Sequence, residues 1–194
     1  MIKTEQFVMA YKVEQDRLRA MMPEGFESLR PVLRINAEIC GGRIYLEFNT
    51  PVAAYGKRGW LNIDNWSSSE TEISYIRNGS NVRFDTLFIE ITFTGIGIEG
   101  GCPAEKDNCG CWFMKDGVYE LVHPEKIDAR KEFCDCSFQW KFQEGDAHGV
   151  SIGGKTLPAA TTGPSRTYDK IPLTAETAAH IKCEQMLGQY KVIF

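Results

Sequence analysis

Long apolar runs are missing from this sequence. Its purely hydrophobic stretches last only a few residues, far short of the ~20 a helix needs to cross a bilayer, so no membrane-spanning helix is expected. Clustered basic charge is missing too: the formal net charge is −4 and Lys and Arg are scattered, which argues against a nucleic-acid surface. There is no low-complexity tract and no internal repeat. The opening Met1-Ile2-Lys3-Thr4-Glu5-Gln6 turns polar at once, with no apolar signal region, so a cytoplasmic address is expected. The seven cysteines are odd in number and sparse for a disulfide framework, and they are expected to be reduced thiols. What remains is an ordinary globular composition, 43% hydrophobic and 25% charged over 194 residues. That length suits a single domain spanning 1–194, large enough to bury a core without metals or disulfides.

Period-two alternation organises the chain. Phe7, Met9, Tyr11 and Val13 share one face of a first strand, and Glu14 to Met22 has helical spacing before Pro23 and Gly25 stop it. Leu33 to Ile39 and Ile44 to Phe48 alternate on either side of Gly41-Gly42, which predicts a hairpin. Glu70 to Arg77 leads to a second hairpin signal, Asn78-Gly79. Leu87 to Ile98 is a long strand whose Gly95 and Gly97 predict a bulge or bend. Trp112–Met114 and Val118–Val122 flank a turn at Lys115-Asp116-Gly117, and Phe133 to Phe142 alternates again. The segment from Ser151 to Pro172 reads as loop. Thr174 can cap a helix running to about Leu187, with Gly188 as its stop, and Tyr190 to Phe194 closes as a strand. The sum is a mostly β chain, a closed antiparallel barrel or cone with two or so short helices at its side.

Several motifs invite chemistry. Gly149 to Thr156 matches the P-loop pattern, but Pro158 and Pro164 forbid the helix that would face the phosphates. Cys102, Cys109 and Cys111 are close enough in sequence to offer thiolates to a metal, without the common two-residue ligand spacing. Cys134 and Cys136 share a strand face with Phe138, Trp140 and Phe142, the environment of small core residues. His123, His148 and His180 have no nucleophile in a recognisable elbow. The loop from Glu99 to Asn108 sets charge beside glycines, where Glu99 or Lys106 could meet a ligand.

Two stretches resemble the acetoacetate decarboxylase-like superfamily. The first runs from Phe7-Val8-Met9-Ala10-Tyr11 through Asp16-Arg17-Leu18-Arg19-Ala20-Met21-Met22-Pro23-Glu24-Gly25-Phe26-Glu27 into Pro31-Val32-Leu33-Arg34-Ile35. The second is Thr162-Gly163-Pro164-Ser165-Arg166 with Pro172-Leu173, a helix and a closing strand. The resemblance implies a β-cone around a small pocket, usually in a homo-oligomer, and in the family's enzyme a buried lysine forms a Schiff base with a β-keto acid. The family carries that lysine in a mid-chain Gly-Arg-Glu…Pro-Lys-Lys segment, which this sequence lacks. Its nearest trace, Gly101-Cys102-Pro103-Ala104, places Ala where the lysine would stand, with Lys106 two positions on. No catalytic residue is therefore carried over.

The expectation is a small organic ligand, a carboxylate among the candidates, held in a β-cone without Schiff-base decarboxylation and without a cofactor. Ligand-binding candidates are Glu47, on the strand face opposite Leu46 and Phe48, with Glu99, Lys106 and Arg166, whose guanidinium could clamp a carboxylate. A non-catalytic sensor on the same fold, or a metal protein using Cys102, Cys109 and Cys111, are the alternatives.

Overall fold

A computed structural model describes residues 2–103, 109–123, 129–142 and 168–194, with backbone alone over 98–103. In chain order the elements are β1 (Thr4–Lys12), α1 (Gln15–Met21), β2 (Phe26–Ser28), β3 (Val32–Cys40), β4 (Arg43–Ala54) and β5 (Lys57–Ser67). Then come β6 (Ile73–Asn78), β7 (Asn81–Thr86), β8 (Ile89–Pro103), β9 (Cys111–Lys115) and β10 (Val118–Val122). β11 (Arg130–Trp140), α2 (Ala175–Ala179) and β12 (Gln185–Ile193) complete the described chain. The strands form one sheet in the order β10-β9-β5-β4-β3-β1-β12-β11-β8-β7-β6, with β2 paired to β4. Among the described residues this is an open path, so the pairing corresponds to a mostly β sheet rather than to the closed barrel expected from the strand count. The first and last strands lie side by side, with Val8 opposite Tyr190.

The sheet has two distinct faces. Its front face carries Phe7, Met9 and Tyr11 from β1, Leu33, Ile35 and Ala37 from β3, and Leu46 and Phe48 from β4, all buried. Burying each of the Phe, Met, Leu and Ile side chains among them is worth roughly 1.5–3 kcal/mol, so this face drives folding. The sheet curls around it. Phe48 on β4 meets Trp140 on β11, four strands away, at 4.8 Å between ring centroids. Trp66 stacks on Phe88 at 5.2 Å, and Trp140 Nε1 donates to the buried Tyr11 hydroxyl at 3.3 Å. Leu18 and Met21 of α1 are buried in the same core.

The turns follow the expected chemistry with local differences. Gly41 and Gly42 adopt φ of 57° and 82° between Cys40 and Arg43, and Asp116 and Gly117 adopt 51° and 81°, as two-residue hairpins of the right twist require. At Asn78-Gly79 the loop lies one residue on: Asn78 pairs with Asn81 and only Gly79 takes positive φ. The pairing of β8 with β11 shifts register between Phe133 and Asp135, opposite the stretch that holds Gly95 and Gly97, which is the expected bulge. The last helix is the main correction. Thr174 does cap it, in a box with Thr177, but it ends at Ala179, and Gly188 lies inside β12 opposite Ala10. Pairing with β1 recruits residues from Gln185 onward into the sheet, a tertiary preference that overrides helical spacing.

Candidate functional site

The back face of β1, β3, β4 and β5 is polar yet largely covered. Antiparallel register sets its rows. Gln6, Glu38, Tyr45 and Ser67 lie across from one another, then Val8, Asn36, Glu47 and Asn65, then Ala10, Arg34, Asn49 and Asn62. Asn49 is fully buried and Asn36 is 8% exposed. A bulge makes this arrangement. The β4–β5 register shifts between Phe48 and Asn49, so β5 has Ile63 as an extra residue. Asn62 and Asn65, an odd number of positions apart, thereby reach one face.

Hydrogen bonds run across the rows in one direction. Asn65 Nδ2 donates to Asn62 Oδ1 at 2.9 Å, Asn62 Nδ2 to Asn49 Oδ1 at 3.1 Å, and Asn49 Nδ2 to Glu47 Oε2 at 3.2 Å. Such chains polarise cooperatively, and this one runs from exposed Asn65 inward to Glu47. Tyr45 lies two residues from Glu47 on the same strand face. Burial first, then the Glu47 charge, pushes the Tyr45 phenol far above its ordinary value. Glu38 accepts from Gln6 Nε2 at 2.7 Å. Burial, aided by the Glu47 charge and opposed by that hydrogen bond, raises its carboxyl above the usual range. The Arg34 guanidinium lies 3.4 Å over the Trp60 ring. Cys111 on β9 brings its thiol 3.9 Å from Asn49 Oδ1. Within this array Asn36 Oδ1 is buried with no hydrogen-bond partner. Buried carbonyls are normally paired, so this one, opposite Glu47 in register, is an exception.

A search of protein-family models finds no match to this chain, and none of the curated proteins matches its sequence. Solved structures do match. An acetoacetate decarboxylase from Legionella pneumophila superposes with a TM-score of 0.61 at 13% identity, over 99% of this chain and 81% of that one. The enduracididine biosynthesis enzyme MppR, solved with pyruvate, gives 0.56 at 9% identity over 99% and 84%. An acetoacetate decarboxylase-like enzyme from Sphingomonas wittichii RW1 gives 0.53 at 9% over 100% and 88%. The chain has the acetoacetate decarboxylase-like fold. At these identities the likeness establishes architecture alone.

Within that fold, Glu47 stands at the centre of the back-face array. Glu99 pairs in register with Glu132, but its side chain, Lys106 and Arg166 lie outside what the structure describes, as does the P-loop-like segment. Of the cysteine trio, Cys109 is exposed, Cys111 is half-buried, and the Cys102 side chain is not described. Among the described residues no three His, Cys, Asp or Glu side chains converge as metal ligands would. Cys134 and Cys136 are half-buried and pack against the core. Burial, with Asp135 and Glu132 adding to it, pushes the Cys134 thiol up to about 11, which suits an inert packing role. Sequence reasoning missed Asn36, Asn49, Asn62, Arg34 and Tyr45. The alternation of Arg34, Asn36 and Glu38 reads equally as a solvent face, and the Ile63 bulge hides Asn62 and Asn65 from any period-two search.

Proposed function

We propose that this chain, acting as one unit over all 194 residues, binds a small organic molecule at the back-face array around Glu47 and Asn36 and does not form a Schiff base with it. The unpartnered, buried Asn36 Oδ1 directly across from Glu47 carries the reading. The pyruvate held by MppR, a protein of the same fold, supports a small ligand as the occupant. Closure of the sheet into a cone belongs to the same proposal, supported by the contact of Phe48 on β4 with Trp140 on β11 across the front face. Homo-oligomeric assembly and a cytoplasmic setting complete it, with Glu99, Lys106 and Arg166 as further contacts.

No lysine occupies the three back-face rows. The buried Lys191 lies in line with Phe7 on the opposite face, with its ammonium 3.0 Å from Glu5 and 3.9 Å from Glu132. A nucleophilic amine must be neutral, and carboxylate neighbours favour the ammonium. The test is incubation with acetoacetate and borohydride followed by mass spectrometry. No stoichiometric adduct is expected. An adduct on one lysine, with carbon dioxide release lost in its alanine variant, would overturn the reading.

A further inference from the structure

We infer that the hollow beside the β4–β5 turn is a binding site for an uncharged aromatic ring, and that Tyr55 is the residue that receives it. The site lies apart from the array around Glu47, since no residue of the three back-face rows lines it.

The turn itself is unusual. Ala54 pairs with Lys57 across a two-residue loop, and Tyr55 and Gly56 take φ of 51° and 73°. Both central positions of such a turn need positive φ, which glycine, asparagine and aspartate accept and a bulky residue resists. The same kind of turn is made by Gly41-Gly42 and by Asp116-Gly117 elsewhere in the chain. Tyrosine is therefore a strained choice at position 55, and it is 70% exposed. Strain of this kind, on a side chain that water reaches, points to a role in function.

Packing does not account for it. Tyr55 meets Phe26 edge-on at 5.9 Å between ring centroids. Phe26 is buried and also has the Trp112 and Tyr119 rings edge-on, at 5.7 and 4.6 Å. The contact sets the position of the Tyr55 ring without burying it.

The hollow has the size and lining of a ligand site. It measures about 770 Å³, within the ~300–1,000 Å³ of small-molecule pockets. Phe26, Tyr55 and Tyr168 line it with three rings, and Met22 and Ala54 add apolar surface. Gly25, at φ of 83°, leaves free the place where a Cβ would stand 3.5 Å from the Tyr55 hydroxyl. Arg19 and Lys170 balance Glu24 and Glu27 around it, so the lining selects ring shape over net charge. Aromatic rings that meet edge-on or offset gain from their quadrupoles beyond the area they bury.

The experiment uses the full chain, labelled with nitrogen-15, and a matched pair of probes, phenol and cyclohexanol, alike in size and hydroxyl but not in aromaticity. The backbone amides of Gly25 and Gly56 report binding. Phenol should give saturable ring-current shifts there in the millimolar range, roughly threefold or more tighter than cyclohexanol. Tyr55→Asn should abolish these shifts and raise Tm by about 2 °C, because asparagine before glycine suits the turn. Tyr55→Phe should keep them. A fall in Tm for Tyr55→Asn would show that the ring is held for packing and overturn the assignment. Equal binding of cyclohexanol, or tighter binding of benzoate than of phenol, would overturn the uncharged aromatic class. Silence of both amides toward phenol up to roughly 20 mM, above the range expected of so small a ligand, would overturn the site.

Discussion

Asn36→Val separates a residue kept for binding from one kept for folding. An unsatisfied buried carbonyl costs ~1–3 kcal/mol, and Asn36 Oδ1 is such a group, in a residue only 8% exposed. Valine removes that cost and favours the strand within the ~1 kcal/mol span of β propensity. Setting methyls against the Glu47 carboxylate offsets part of the gain. The expected balance is stabilisation by about 1 kcal/mol, or roughly 2–4 °C in Tm for a chain of this size. Asn49→Ala is the control from the facing strand. Asn49 is fully buried and donates to Glu47 while accepting from Asn62. Its loss removes one bond to a charged group and one neutral bond, about 2–4 kcal/mol together. Thermal and urea unfolding at neutral pH, read with the m-value to confirm an unchanged native state, decide the matter. Opposite signs for these two asparagines are required. A fall in Tm for Asn36→Val like that of Asn49→Ala would show that Asn36 is structural and refute the reasoning.

Three further outcomes follow from the same geometry. Gly59→Ala should cost about 2 kcal/mol or more, because a Cβ there would strike the Gly110 carbonyl and come within 2.7 Å of Trp112 Cζ3; hydrogen exchange should show β9 and β10 losing protection. Burial would raise Glu5, but its hydrogen bonds to Lys191 and Arg77 outweigh that and hold it below 4.5. Its contribution is therefore present above pH 4.5 and lost as pH falls through the folded value, and Lys191→Met should weaken this acid-side loss in unfolding measured across pH. Glu38 behaves oppositely: raised above 4.5 by burial, it contributes below that pH and loses the contribution as pH rises. Glu38→Gln should flatten the stability profile above pH 4.5, and an unchanged slope would contradict the assigned environment.

The front face was legible in the sequence because its residues obey a strict period of two. Phe7, Met9, Tyr11, Leu33, Ile35, Leu46 and Phe48 alternate, and all are buried. Single glycines and the pair Gly41-Gly42 marked the turns, since few other residues take positive φ. α2 misled because Thr174 to Leu187 has helical spacing, while hydrogen bonding to β1 claims everything from Gln185. The site was legible only through Glu47. Polar alternation cannot tell a covered back face from a wet one, and an extra residue such as Ile63 shifts the parity that such a reading depends on.

The placement of β12 bears on how this chain folds during synthesis. The last strand is not an edge. It lies between β1 and β11, and Thr4 and Phe194 exchange backbone bonds at 2.8 and 3.0 Å. Until β12 emerges from the ribosome, the nascent protein is two half-sheets with an open seam, each presenting unpaired backbone and part of the Phe7 cluster. Pairing across nearly the whole length of the chain is slow, and exposed edges recruit other chains. A nascent chain stalled before Gln185 should therefore bind a chaperone that the released chain does not. Because the described ends meet in one ladder, a short linker joining them, with new termini opened at the Gly79 turn, should give a permutant that closes its seam first and escapes that dependence.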